Sequence, residues 1–359
     1  MSHSNDRLFT STEITEYLSR IELERGKIDS LSPSERLKTL HLHHILNIPF
    51  DTTSIHLPPK WWATESSPES LPVTLSGHKN NTAKPELISV DCDLAFNKMI
   101  RERRGGYCWS LNSQSSLFIF RPGHLRTQTN ESRFNPAGCF ARLLLSLGYR
   151  VSQLPARVFS SRNQNPQETG YAWTPLCHEC LLVDTDDSGS FICDVGFGGG
   201  SSAYPIPFEE NLEIHTLTAG EKFRIVNEKC VNLDVSSTDP GAGFTVQRWC
   251  GKWWSPCYHF YLSPIVFKDL EVYNWYTTYH PEAHFMTRLV VTILRKDGSR
   301  RTLYCERDEH GHQTAIKLHT RQQITAQESH VSFVTPTYAE LFKTLKHEFG
   351  WGPPSPSNS

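Results

Sequence analysis

The hydrophobic period of this chain changes from helical to strand-like at Gly148, and no other feature constrains the fold as much. Before that glycine, apolar residues recur with helical spacing; after it, short alternating runs separated by turn residues take over. Ile14, Tyr17, Leu18 and Ile21 share one helical face, with Ser11 or Thr12 as its cap. Ser32-Pro33-Ser34-Glu35 reads as a second start with proline in the first turn, followed by Leu37, Leu40, His41, His44 and Ile45 and stopping before Pro49. Asp91 to Arg103 reads as helical with Leu94, Met99 and Ile100 inward, and Phe140 to Leu147 ends on Gly148. Strands are then expected at 149–154, 156–159, 173–183 and 191–195, with further candidates at 222–226, 230–235, 244–248 and 257–262. Many short strands with turns between them suggest a barrel or a sandwich. The last part reads as a helix at 269–280, a hairpin turned by Asp297-Gly298 in a type I′ turn, and an amphipathic helix from Pro336 to Phe349. Polar stretches at 58–87 and 121–137 read as long loops or insertions, and the tail from Pro353 as disordered.

Size and charge narrow the possibilities. A chain of 359 residues exceeds one ordinary core, so two or three domains are expected. A net charge of −2 argues against a nucleic-acid partner. Met1 to Asp6 lacks the basic start and apolar run of a secretory leader, and no stretch approaches the roughly 18 apolar residues of a membrane span. The expectation is a cytoplasmic protein whose ten cysteines are thiols.

Chemistry concentrates in Arg103-Arg104-Gly105-Gly106-Tyr107-Cys108-Trp109-Ser110-Leu111-Asn112. Two glycines allow a sharp turn through positive φ. Cys108 follows at the start of a helical run, where backbone N–H groups favour a thiolate, and Arg103 and Arg104 would add to this if they face the sulfur. A lone cysteine is otherwise a small buried hydrophobe. A base and its orienter are available in one hairpin, His178 before and Asp194 after the turn cluster at 184–190. Their midpoint is 186, which would set them directly opposite on one face. Asp194 would then accept Nδ1–H of His178 and leave Nε2 for the thiol. The plainer reading is a His and an Asp on a polar barrel face. Cys177-x-x-Cys180 has no second pair to complete a zinc site, and His41, His43 and His44 suit helix packing, so no metal is expected. Gly196-Phe197-Gly198-Gly199-Gly200 lacks a phosphate-loop ending and suits a backbone passing close to a ligand or to Asp194.

Together, Arg103 to Cys108 with Asn112, His178 in its strand, and Asp194-Val195-Gly196-Phe197-Gly198-Gly199 resemble the arylamine N-acetyltransferase family, with a eukaryotic, fungal-type relative in view. Leu40 to Phe50, Ile88 to Asp91 and Tyr273 to Pro281 with Phe285 resemble further family segments. The resemblance implies an α+β fold of three domains: a helical bundle at 1–125, a β-barrel at 126–265, and an interdomain helix with an α/β lid at 266–359. It implies a triad of Cys108, His178 and Asp194. Phe197, with Tyr107 and Gly106, would contact substrate, and Thr174 and Pro175 would approach coenzyme A. The implied reaction moves an acyl group, acetyl first among the candidates, from an acyl-coenzyme A to an aromatic amine or hydrazine through an acyl-cysteine, as in xenobiotic metabolism. The implied partners are these small molecules alone, with no nucleic acid and no membrane; a monomer is the working expectation. The family usually carries Glu where this chain has Ser110 and Asp51, which leaves Asp51 as a candidate partner for Arg104. A malonyl donor would want a cation, for which Arg157 is one candidate. Two other classes fit the order Cys, His, Asp: a papain- or transglutaminase-like hydrolase or amide transferase, and an inactive scaffold.

Overall fold

The computed structural model describes residues 7–57, 91–112, 138–161, 164–230, 242–263, 265, 267–281, 283–307, 313–322, 330–334 and 337–352. The insertions expected at 58–87 and 121–137, most of the strand expected at 230–235, and the tail from 353 lie outside them.

Helices lead the chain: α1 (Ser11–Arg20), α2 (Arg25–Asp29) and α3 (Pro33–Asn47), then a two-residue strand β1 (Phe50–Asp51), α4 (Thr53–His56), α5 (Cys92–Phe96), α6 (Cys108–Leu111) and α7 (Cys139–Ser146). The cap of α1 is Thr10, one residue before the expected pair. Its hydroxyl accepts the Glu13 N–H at 3.2 Å while the Glu13 carboxylate accepts the Thr10 N–H, a reciprocal box. Ser32 and Glu35 form the same box on α3. After α5 the chain continues as a π-helical turn, Asn97–Arg101. The buried stripe there is Cys92, Ala95, Phe96, Met99 and Ile100; Leu94 lies off it and is 60% exposed, against expectation.

The strands β2 (Arg150–Phe159), β3 (Trp173–Thr185), β4 (Gly189–Cys193), β5 (Ile206–Pro207), β6 (Ile214–His215), β7 (Lys222–Lys229), β8 (Ala242–Trp249) and β9 (Trp254–Phe260) form one antiparallel sheet, with a short helix α8 (Pro166–Thr169) between β2 and β3. Its order is β5-β4-β3-β2-β9-β8-β7-β6, and a bridge from Glu210 to Ile225 brings its ends together as a nearly closed barrel. Leu154, Cys180, Leu182, Ile192, Phe223, Val246 and Phe260 fill the inside. The outer residues of β2 to β4, namely Val151, Leu181, Val183, Phe191 and Cys193, complete the core of the helices. Both faces of these strands are therefore buried, which is why Cys180 to Val183 reads as a continuous apolar run.

Beyond the barrel come α9 (Phe267–Tyr279), α10 (His284–Thr287), β10 (Val290–Leu294), β11 (Arg300–Arg307), β12 (Gln313–Arg321), β13 (His330–Val334) and α11 (Tyr338–Phe349). The second sheet runs β1-β10-β11-β12-β13, so a strand from the helical part forms its edge beside β10. The β10–β11 hairpin is present but is not closed by the expected two-residue turn. Arg295 donates to Ser299 O at 2.8 Å and Gly298 to Arg295 O at 2.9 Å, leaving a three-residue loop with Gly298 at φ +80°. No helix among the described residues is long and apolar enough to cross a membrane.

Candidate active site

Cys108 is the first residue of α6, with Tyr107 as its N-cap. The two glycines before it are held by close approach rather than by positive φ. A Cβ on Gly105 would lie 2.4 Å from the Pro49 carbonyl oxygen, and one on Gly106 would lie 2.6 Å from the Met99 sulfur. The left-handed residue of the loop is Arg103, at φ 52°. Ser110 does locally what a longer acidic side chain would do. Its hydroxyl accepts the Tyr107 N–H at 3.2 Å and closes the first turn. Behind the loop, the Asp51 carboxylate accepts from Thr53 N–H at 2.7 Å and from the Trp351 indole N–H at 3.1 Å. Arg104 bonds the Ser54 hydroxyl and Glu102 and lies 4.9 Å over the Trp351 ring. The Tyr107 hydroxyl bonds Asn274, and the Trp109 indole donates to the Thr277 hydroxyl at 3.1 Å, so α9 clasps α6 from outside.

The β3–β4 register differs from the expected one by two residues. Leu181 opposes Cys193 and Thr185 opposes Gly189, which centres the hairpin on 187. Asp194 thus follows the end of β4, diagonal to His178 rather than opposite it. A shift of two keeps both on one face. His178 Nε2 lies 2.8 Å from Asp194 Oδ2, so Nδ1 is the nitrogen left for the thiol, the reverse of the expected arrangement. A bulge completes the approach. Ala156 opposes His178 and Arg157 opposes Leu176, which leaves Cys177 as the extra residue of β3. The Cys108 Sγ lies 3.8 Å from the Cys177 carbonyl oxygen.

Around this centre stand residues outside the expected triad. Asn112 Nδ2 donates to Asp194 Oδ1 at 2.8 Å and to Glu179 O at 3.0 Å, while its Oδ1 accepts the Val195 N–H at 3.0 Å. It lies one helical turn after Cys108, and that spacing was the available signal. His41, read as packing, accepts the Asp194 N–H on Nε2 at 3.2 Å and lies 3.2 Å from the Ala203 carbonyl through Nδ1. Burial pushes its pKa down to about 4. The neutral ring therefore carries its proton on Nδ1. The Tyr258 ring lies 5.0 Å from the His178 ring, between centroids. Gly196 passes so close that a Cβ would lie 2.8 Å from the Cys108 Cα. Nothing in the local sequence distinguishes His41 from its neighbours.

The charges divide the work. Burial pushes the Cys108 thiol well up, and the charges of Cys177, Glu179 and Asp194 push the same way. The expected help from Arg103 and Arg104 is not what acts on the sulfur: Arg104 is turned to Trp351, and Arg103 acts on Arg20 and Glu22. Burial also opposes ionisation of Asp194, but the His178 charge and the hydrogen bonds from His178, Asn112 and the Gly196 N–H outweigh it, so the carboxyl titrates below its ordinary value. A thiolate buried here needs a cationic partner beside it.

The other expected contacts separate. Phe197 lies 5.2 Å from the His178 ring and 5.1 Å from the Tyr258 ring, between centroids. With His41, Asp194, Ser201, Phe223 and Tyr258 it lines a small cavity with room for about one water molecule. Tyr107 and Gly106 are buried in the loop and are not in that wall. Residues 173–177 are partly or fully exposed while 178–183 are buried, so Thr174 and Pro175 stand at the open end of β3. Arg157 is at the same end, 3.3 Å from the Thr174 carbonyl and from the Tyr261 hydroxyl. Cys180 points into the barrel core.

A family model described as N-acetyltransferase matches residues 134–350. The arylamine N-acetyltransferase of Escherichia coli (strain K12) is 25% identical over 321 residues, 89% of this chain and 82% of its own. N-malonyltransferase FDB2 of Fusarium pseudograminearum is 22% identical over 319 residues, 82% of this chain and 77% of its own. In fold, the arylamine N-acetyltransferase from Salmonella typhimurium matches with a TM-score of 0.64 at 21% identity, over 98% of this chain and 95% of that one. The Mycobacterium marinum enzyme in complex with CoA matches with a TM-score of 0.59 at 21% identity, over 94% and 92%.

Proposed function

The chain belongs to the arylamine N-acetyltransferase family, and on that premise we propose that it moves an acyl group from an acyl-coenzyme A to an aromatic amine or hydrazine through an acyl-cysteine on Cys108. The observation that carries this reading is the buried His178 Nε2 to Asp194 Oδ2 contact of 2.8 Å beside a buried thiol. The Cys108 proton passes to His178 Nδ1, and the sulfur attacks the thioester carbonyl. Coenzyme A leaves as its thiol, taking the proton back. The amine then attacks the acyl-cysteine and loses its proton to His178. The amide departs and the thiol is restored. Backbone N–H groups at the start of α6 would hold the oxyanion.

Thr174, Pro175 and Arg157, at the open end of β3, are the proposed contacts for the coenzyme. The acceptor is proposed to approach on the Phe197 side of His178, where the cavity, with room for about one water, would have to widen to admit a ring. Tyr107 and Gly106 support the loop and would touch substrate only through their backbone. Acetyl is the first candidate for the acyl group; malonyl is the second, because one relative is named an N-malonyltransferase. Arg157 at the mouth suits the coenzyme better than an acyl carboxylate. A reducing compartment, the cytoplasm, fits ten cysteines that are all thiols.

The test is a panel of acetyl-, propionyl- and malonyl-coenzyme A with one simple arylamine, following release of coenzyme A thiol. Parallel-line ping-pong kinetics with one donor preferred is expected, and none with Cys108→Ala. Cleavage of peptides or glutamine amides, with no coenzyme A release from any donor, would sink the assignment in favour of a hydrolase. Failure of iodoacetamide to label Cys108 faster than an ordinary thiol at pH 7 would favour a scaffold.

A further inference from the structure

Three arginines meet where the barrel touches the second sheet, with one carboxylate among them. Arg300 on β11 stands directly opposite Arg321 on β12, and Arg248 comes from β8. Glu221 is 1% exposed and lies 2.5 Å from Arg248 and 3.1 Å from Arg300. Its remaining capacity is used by the Thr216 hydroxyl at 2.5 Å. Among the described residues, Glu221 is the one carboxylate that acts on Arg300 and Arg321. One negative charge therefore faces three positive ones.

A network built only for stability would not look like this. Like charges directly opposed across antiparallel strands repel. Burial, with the charges of Arg248 and Arg300, holds Arg321 down to about 10. Arg300 is 4% exposed, and its Nε has no hydrogen-bond partner; neither does the buried Nε of Arg248. Buried donors left unmade are costly, and guanidinium donors most of all. The arrangement is rigid on both sides. Arg300 also holds the Ser201 carbonyl at 2.7 Å, and the Thr218 hydroxyl donates to Gly298 O at 2.8 Å.

We propose that Arg248, Arg300 and Arg321 form a binding site for an oxyanion, the phosphate or carboxylate group of a ligand, at the junction of the barrel and the second sheet. Guanidinium forks match both groups in geometry. The site adjoins the cavity already described without belonging to it. Arg248 pairs directly with Phe223, and Phe223 and Ser201 both line that cavity. Arg248 and Arg321 are only partly buried, so the site opens outward through them.

The experiment is thermal melting in inorganic phosphate against sodium chloride at equal ionic strength, on the wild type and on Arg321→Gln. The wild type gains a saturable few degrees in phosphate, the response to a ligand that binds the folded state alone. Arg321→Gln melts at or above the wild type in chloride, because a surplus charge has gone, and loses most of the phosphate increment. Arg321→Lys keeps the charge, loses the fork and retains only part of the increment, which keeps the test decisive should the Gln variant fold poorly. A wild type without a specific phosphate increment overturns the proposal, as does a variant that keeps the whole of it. Kinetics then separate the sources. In Arg321→Gln a rise of about tenfold in KM for acetyl-coenzyme A, absent with its dephospho form, assigns the anion to the donor. The same rise for 4-aminobenzoate but not for aniline assigns it to the acceptor, and neither rise assigns it to a free anion. The melting arm needs no turnover, so it stands or falls separately from the acyl-transfer reading.

Discussion

Asp194 Oδ1 already accepts two N–H groups, from Asn112 at 2.8 Å and from the Gly196 backbone at 2.9 Å, and this fixes what a change at that position would do. In Asp194→Asn the amide oxygen must stay on Oδ1 to keep both bonds. The NH2 group then faces His178 Nε2, which has to become an acceptor, and the ring proton moves to Nδ1. The imidazole can no longer take a proton from Cys108. The expected result is a loss of kcat of about 10²- to 10⁴-fold with a melting temperature close to wild type, the usual cost of the wrong tautomer. Steady-state rates and a melt on one preparation check it; a variant with more than a tenth of wild-type kcat would refute the assignment. That His178 and Asp194 would meet was legible in the sequence, because the hairpin spacing sets them on one face. The ring nitrogen was not, since a one-residue bulge at Cys177 and a two-residue register shift decide it. His41 was illegible for another reason: a histidine on an apolar helix face carries no mark of the backbone N–H it will meet from a residue 153 positions away.

Elements far apart in sequence hold the Cys108 loop. The edge strand β1 hands Asp51 N–H to Gly106 O at 2.8 Å, and Asp51 in turn is held by Trp351, just beyond the C-terminal helix α11. Gly352 N–H reaches Arg103 O at 3.2 Å. Trp351→Phe keeps a ring over Arg104 and removes the indole N–H to Asp51. It should cost about 1–2 kcal/mol of stability for the unmet carboxylate. It should also lower kcat several-fold with little change in KM for the acceptor, because the loop is displaced while the cavity is not. Denaturant unfolding and initial rates measure both, and an unchanged kcat would show the contact to be packing alone. The helices and most strands of this scaffold were visible as periodicity. The joining of β1 to β10 was not, since two residues carry no period and their partner lies some 240 positions on.

The whole molecule keeps several ionisable groups buried in one protonation state, and that sets its response to acid. His41 titrates near 4 in the folded chain against about 6.5 when unfolded. The unfolded state therefore takes up a proton first as pH falls, and the stability this group provides is complete above about 6.5 and lost on the way down to 4. The difference is worth roughly 3 kcal/mol. Glu221, held to about 2 against burial by Arg300 and Arg248, adds a second loss from about 4.5 downward. Melting temperature should fall continuously from pH 6.5 to 4, and His41→Gln, less stable at pH 7, should flatten the upper part of that slope. A wild-type melting temperature constant from pH 7 to 4.5 would contradict this. The sequence by itself determined the order of helices, barrel strands and final α/β unit, and the meeting of His178 with Asp194, because period and local spacing are properties of neighbours along the chain. Only the tertiary structure decided which imidazole nitrogen meets Asp194, why Gly105, Gly106 and Gly196 have no room for a side chain, and that Arg248, Arg300 and Arg321 converge. Each of those depends on register and packing between segments whose separation no local pattern records.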